Sequence, residues 1–426
     1  MRPNALRLSP LTLACALSSV VMASGLGGCE GGESAPPVPL GSAGSGGSGA
    51  TGGSGGGAAG GAGVGVKADE LFARGAYAVG YRQLEVRYRP GGGDERVLPL
   101  HVWYPARAGG EGPATYSVGG IVSLPSEGAL AAPAIAEGGP FPLAVYSHGS
   151  GGDGLLGYPY AERFASHGWV VAAPSHVGNT ALDDIAGAAA PLVRVALDRP
   201  RDVSAVIDAF ATGLAGDALA GAARAERVFL FGHSFGGYTA FTGAGVDVDV
   251  EKLRGGCAAF GGCDVLEAPG VAEGFAAGFG DARVAAAAAQ APALVGFYAE
   301  GGLGALGVPV LLMSGRLDRT IPEAENAGPA WAGLDDPGDL RVELPRGAHF
   351  SFVSICDDLD PAVLETVRPG TADDGCGPAF TPVAEAVPAL TAYLLGFARW
   401  HLLGEDEWAP LLRGEPLHPS VVVSTH

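Results

Sequence analysis

The sequence is poor in charge: of 426 residues only 16% are Asp, Glu, Lys or Arg, and lysine occurs twice, at Lys67 and Lys252. Acids outnumber bases, 45 to 25, for a net charge of −20. Such a surface repels phosphate backbones and anionic headgroups, which argues against nucleic acid or an electrostatically bound membrane as a partner. The shortage of charge does not indicate disorder, because hydrophobic residues make up 47% of the chain, enough to bury a core. No Gly-X-Y period runs through the 72 glycines, so a collagen helix is excluded. No CxxC pair and no paired histidines accompany the six cysteines, so the spacing points to no zinc site. Neither a metal nor a cofactor is expected.

Glycine is concentrated at the front. Residues 41–66 hold 14 glycines in 26 positions, with no charge and no aromatic residue, the composition of a flexible tether. Ahead of it, Arg2 and Arg7 precede an apolar run from Leu11 to Met22 and a small-residue stretch ending at Gly28. The run is too short for a stable membrane span and has the layout of an export signal. Leu26-Gly27-Gly28-Cys29 resembles the lipobox of bacterial lipoproteins, in which the signal is cut before a lipidated cysteine. The expected organisation is therefore a signal over residues 1–28, a lipidated Cys29 with its tether over 29–66, and one folded body over 67–426. Loss of Arg2 and Arg7, with no acid lost, takes the net charge to −22. The 37 residues from Glu30 to Val66 reach about 35 Å as a coil, enough to clear a membrane surface. This reading places the body on the periplasmic or extracellular side of a cell envelope, held at an outer membrane or cell surface only through the lipid.

Four cysteines remain in the body: Cys257, Cys263, Cys356 and Cys376. An even number in an exported chain favours disulfides. Of the three pairings, the two local bridges, Cys257 with Cys263 and Cys356 with Cys376, are preferred over crossed pairing or free thiols.

Two partly alternating segments, Tyr81–Tyr88 and Val97–Tyr104, flank a Gly-Gly-Gly-Asp turn at 91–94 and read as a hairpin at a sheet edge. Short continuous apolar runs follow, at Pro142–Tyr146, Trp169–Ala173, Val228–Phe231, Val284–Ala289, Pro309–Met313 and Leu340–Leu344. Unbroken runs indicate strands covered on both faces. Segments of helical spacing separate several of them, including Arg199–Phe210, with Ala384–Leu403 after the last. The alternation predicts a doubly wound α/β fold with a mostly parallel sheet, whose chemistry belongs at the carboxyl ends of the strands.

One motif falls at such a strand end. Gly232-His233-Ser234-Phe235-Gly236 fits G-x-S-x-G, the strained strand-to-helix turn that presents a nucleophilic serine. The pattern alone is weak in a glycine-rich chain, and it recurs at Gly52–Gly56 inside the tether. Only Ser234 directly follows an apolar strand and precedes a helix start. A serine hydroxyl needs a base, and the base an orienting acid. Asp318 lies five residues beyond Met313, and His349 five beyond Leu344, giving the chain order Ser, Asp, His. Asp357 and Asp358 are poorer candidates for the acid because they follow the histidine. Acyl transfer also needs oxyanion donors: the amide of Phe235, and an amide of the loop His148-Gly149-Ser150-Gly151-Gly152, assigned to Ser150 with Gly151 as the near alternative. Gly149, Gly151, Gly232 and Gly236 complete this set. His148 is expected to brace its loop, and His176 to line the cleft or serve structure.

The segments FPLAVYSHGSGG, GWVVAAPSHVGNT, RPRDVSAVID, GHSFGGYTA, VPVLLMSGRLD and GAHFSF together resemble the bacterial proteins called predicted dienelactone hydrolases, relatives of platelet-activating factor acetylhydrolases, over about Leu98 to Leu403. The resemblance implies an α/β-hydrolase fold and a metal-free serine carboxylic ester hydrolase, acting on short- to medium-chain acyl esters or lipid esters. It departs from dienelactone hydrolases proper, which use a cysteine where Ser234 stands, and from the family's frequent Asp-His at Ser175-His176. Lipase, phospholipid acetylhydrolase or polyester hydrolase activity would use the same residues. A tethered, noncatalytic binding module is the alternative of another class. Tyr158, Tyr160, Trp169, Phe297, Tyr298, Phe350 and Phe352 either line a pocket or fill the core, and residues 106–140 and 357–382 are candidates to cap the cleft.

Overall fold

The computed structural model describes residues 61–426 apart from 110, 111, 121, 125, 127, 260, 361, 363 and 366–368. The signal, Cys29 and the tether as far as residue 60 lie outside the described residues. The first helix, α1, spans Gly61–Phe72. It therefore starts inside the segment whose composition reads as tether. The helix is anchored from its far end, where Leu71 is buried in the core, and Gly61–Val66 extend it backwards.

The two alternating segments form the expected hairpin. Strands β1 (Ala78–Tyr88) and β2 (Arg96–Ala106) pair antiparallel without interruption. Beyond them lie a two-stranded sheet of β3 (Tyr116–Val118) and β4 (Val122–Leu124) and a short strand, β5 (Leu130–Ala131), paired to β1. Then come β6 (Phe141–Ser147), helix α2 (Tyr158–Ser166), β7 (Val170–Pro174), helix α3 (Leu192–Ala211), β8 (Ala223–His233), helix α4 (Phe235–Ala244), β9 (Val284–Gln290), β10 (Val310–Gly315), β11 (Leu340–Leu344), helix α5 (Val383–Leu403) and β12 (Val422–Thr425). Three short helices, Val250–Gly256, Cys263–Leu266 and Val271–Ala276, fill the crossover from α4 to β9.

Ten of the described strands form one sheet in the order β12-β11-β10-β9-β8-β6-β7-β2-β1-β5. From β7 to β11 every neighbouring pair is parallel, and antiparallel strands flank this block. After β6 the chain steps to β7 on one side, then returns to β8 on the other, so the strand order reverses at β6. The carboxyl ends of β6 and β8 thus bound the crevice where doubly wound sheets bind ligands.

Successive side chains in these strands face opposite layers, and both layers are apolar. Ala144, Tyr146, Phe229, Phe231, Leu311 and Met313 pack with α2 and α5. Leu143, Val145, Val228 and Leu230 pack with α3 on the other face. This two-sided burial is why the strands read as unbroken hydrophobic runs. Tyr158, Tyr160, Trp169, Tyr298, Phe350 and Phe352 are buried, so packing accounts for them. Among the described residues, no helix is long and apolar enough to cross a membrane. The cysteines pair locally, Cys257 with Cys263 and Cys356 with Cys376, with Cα–Cα separations of 5.2 and 5.0 Å.

Candidate active site

Ser234 stands between β8 and α4 with φ 58° and ψ −116°, a backbone conformation that a side chain tolerates only where its surroundings enforce it. The surroundings here are close-packed backbone. A Cβ on Gly236 would lie 1.8 Å from the Ser147 carbonyl oxygen at the end of β6, and one on Gly232 would lie 2.5 Å from the Gly236 carbonyl oxygen. Both flanking glycines are sterically required, and the turn they permit projects Ser234 from the carboxyl end of the sheet.

The three residues singled out for nucleophilic chemistry meet at this point. Ser234 Oγ lies 3.0 Å from His349 Nε2, and Asp318 Oδ2 lies 2.9 Å from His349 Nδ1. Since a carboxylate only accepts, the imidazole carries its proton on Nδ1 and offers Nε2 to the serine hydroxyl. Asp318 Oδ1 accepts from the Ile321 amide at 2.6 Å, which fixes the carboxylate plane. Phe350 packs edge-on against the His349 ring, with centroids 5.3 Å apart. Asp318, and neither Asp357 nor Asp358, is the carboxylate bonded to His349 Nδ1, and Asp358 takes hydrogen bonds from Tyr158 and Ser354.

Two residues that the sequence did not single out hold this arrangement. Asp374 Oδ1 accepts from the amides of Arg319 (2.9 Å) and His349 (3.3 Å), while Oδ2 accepts from the amide and hydroxyl of Thr320 at 3.0 and 2.6 Å. One buried carboxylate therefore ties the loop after β10 to the loop after β11. It comes from the segment 357–382, which reaches the site; segment 106–140 instead supplies β3, β4 and β5, at and beyond the sheet edge. The second is His233, the first of the two variable positions of the serine motif, whose Nε2–H donates to the His349 carbonyl at 2.9 Å.

The loop after β6 lies against the serine. A Cβ on Gly149 would come within 3.3 Å of Ser234 Cβ, and Gly151 adopts φ 64°. The amides of Phe235 and Gly236 open helix α4, where they have no intrahelical acceptor. Ser150 Oγ accepts from Asn179 Nδ2 at 3.0 Å, and Gly152 bridges to Thr180, so the loop after β7 braces the loop after β6. His148 does the same from beneath. Its Nε2 accepts the His176 amide at 3.0 Å, which leaves the proton on Nδ1 to donate to the Gly149 carbonyl at 2.7 Å. Burial, then the Arg199 charge, holds the His148 imidazole well below the usual histidine range, so it stays neutral.

His176 is structural. It lies between Ser147 Oγ and Asp202 Oδ2, 2.9 Å from each, with every member fully buried. This second serine–histidine–aspartate array shows that triad distances alone do not make a site: Ser147 sits inside the packed end of β6, whereas Ser234 stands on a strained turn. A surface groove of about 930 Å³ runs between β1 and α3 past Glu85, Arg201 and Asp208 and contains none of these residues.

No family model and no curated protein matches the chain. Among solved structures the chain is similar to a ferulic acid esterase from Streptomyces cinnamoneus, at 24% identity with a TM-score of 0.59, over 82% of this chain and 97% of that one. The sheet order, the elbow at the end of β8 and this likeness together define the α/β-hydrolase fold.

Proposed function

We propose that the protein is a serine carboxylic ester hydrolase. The observation that carries this is the continuous hydrogen-bonded series from Ser234 Oγ through His349 to Asp318, set on a strained elbow beside a glycine loop. His349 Nε2 takes the hydroxyl proton as Ser234 Oγ attacks the ester carbonyl carbon. Negative charge collects on the former carbonyl oxygen, which the amides of Phe235 and Ser150 stabilise. His349 returns the proton to the departing alcohol, Asp318 keeps the imidazolium oriented, and water then repeats the sequence on the acyl enzyme. No step calls for a metal or cofactor.

The substrates proposed are short- to medium-chain acyl esters. The neighbouring fold carries a ferulic acid esterase, which makes an aromatic ester a second substrate to test. Substituting Ser234 with Ala should remove hydrolysis of p-nitrophenyl butyrate by about four to six orders of magnitude. Activity within tenfold of wild type would refute the assignment. A panel of p-nitrophenyl esters of rising chain length, methyl ferulate, a triglyceride emulsion and a polyester film separates the esterase from the feruloyl-ester, lipase and polyester readings.

The two disulfides support an oxidising compartment, and we place the body outside the cytoplasm, anchored through Cys29. A Cys29→Ser protein that stays in the membrane fraction would overturn the anchor.

A further inference from the structure

Arg199 is fully buried in α3, yet none of its nitrogens is bonded to a carboxylate. Nη2 donates to the His148 carbonyl at 2.7 Å and lies 3.1 Å from His148 Nδ1 and 3.4 Å from the Gly149 carbonyl, while Nε and Nη1 have no hydrogen-bond partner. Asp202, the carboxylate whose charge acts on Arg199, is already engaged by Arg96, Tyr88 and His176. The guanidinium carbon also lies 4.8 Å from the centre of the Phe235 ring. Burying a cation this way is costly to the fold, and burial pushes the guanidinium down to about 9, which still leaves it charged at neutral pH.

The geometry of the peptide bond shows what that charge does. The Gly149 carbonyl and the Ser150 amide belong to one planar trans peptide, so their C=O and N–H point in opposite directions. Donors on the carbonyl side therefore aim the Ser150 N–H away from them. The Gly149 carbonyl has three: the amide of Gly152 at 3.1 Å, His148 Nδ1 at 2.7 Å and Arg199 at 3.4 Å. Hydrogen bonds to a carbonyl also polarise its amide into a stronger donor. The neighbouring peptide, from the His148 carbonyl to the Gly149 amide, is held by Arg199 at 2.7 Å. Through its ring face, the same guanidinium packs on Phe235, the residue supplying the other oxyanion donor.

We propose that Arg199 is a positioning residue for the oxyanion site: one guanidinium fixes both donor-bearing segments and adds positive charge behind them. The inference rests on the reading that Ser234 forms a tetrahedral oxyanion intermediate. It predicts a loss confined to the transition state.

The test compares wild type with Arg199→Met and Arg199→Lys on p-nitrophenyl butyrate, with inhibition by a trifluoromethyl ketone that adds to serine as a tetrahedral oxyanion. For Arg199→Met, kcat should fall about 10²-fold with KM within about threefold, and ketone affinity should fall in parallel with kcat. A folded Arg199→Met protein with kcat within about threefold of wild type overturns the proposal. Should Arg199→Met fail to unfold cooperatively, Arg199→Lys decides, because it keeps the charge and the stem. An ammonium placed at the two carbonyls lacks the planar guanidinium face that packs on Phe235, so kcat should fall at least about tenfold, and no loss overturns the proposal. Wild-type protein with neither hydrolysis nor ketone binding would overturn the hydrolase reading instead, which separates the two failures.

Discussion

The Ser147 carbonyl oxygen and Gly236 are packed so closely that a single methyl group cannot fit between them: a Cβ at Gly236 would lie 1.8 Å from that oxygen. Both partners are backbone, so no rotamer change can relieve the clash. Gly236→Ala is therefore expected to destabilise the fold by upwards of about 3 kcal/mol, at the severe end of overpacking, and to abolish esterase activity in whatever folds. Thermal unfolding with a parallel activity assay checks both effects.

Asp374 gives a different prediction, because it supports the site without touching the reacting atoms. Asp374→Ala strips acceptors from the amides of Arg319, Thr320 and His349, and each buried amide left unpaired costs about 1–3 kcal/mol. It also frees the histidine loop from the acid loop, so kcat should fall by about 10²-fold through misplacement of His349. Asp374→Asn, which keeps one acceptor oxygen, should lose less of both. Denaturant unfolding and steady-state kinetics on the same preparations separate the two contributions.

The disulfides should be unequal. Cys356–Cys376 closes a separation of 20 residues and Cys257–Cys263 one of 6, so chain entropy assigns them about 3 and about 2 kcal/mol. The former also brackets the segment carrying Asp374. Replacing Cys356 and Cys376 with Ser should lower both stability and kcat, whereas replacing Cys257 and Cys263 should lower stability alone.

Acid should weaken the fold before it protonates the carboxylates. Burial holds His148, His167, His176 and His401 below the ordinary histidine range, His401 at about 4. Groups depressed in the folded state stabilise it above the unfolded value of about 6.5, and this stability is lost as pH falls below that value. Each can contribute up to about 1.4 kcal/mol per pH unit over the window. Asp339, raised by burial to about 6, and Asp202, also raised by burial, act in the opposite sense as pH falls, two groups against four. The midpoint of urea unfolding should therefore drop between pH of about 7 and about 5, and a flat profile would contradict the neutral, buried state assigned to these histidines.

What the sequence disclosed depended on how local each signal is. The parallel strands were legible because burial on both faces makes them continuous apolar runs; β11 matches its expected range, Leu340–Leu344. β8 begins at Ala223, ahead of the expected Val228, because its first residues are partly exposed and polar. β12 lies at the sheet edge with its residues largely exposed, and offers no run to recognise. Ser234, Asp318 and His349 were legible because each follows a strand. Asp374 was not, since it acts from an irregular segment whose only link to His349 is tertiary. Arg199 leaves a trace in the pattern: Ala196, Arg199, Val203, Val206 and Phe210 share the buried face of α3, so a cation occupies a core position of the helix.

The most direct test of the central claim is covalent. An active-site-directed fluorophosphonate reports a serine made nucleophilic by its surroundings, independently of any guess about substrate. The account predicts one adduct per chain, mapped by peptide mass to Ser234, absent in Ser234→Ala and strongly slowed in His349→Ala. An unlabelled wild-type protein, or an adduct on any residue other than Ser234, would contradict it.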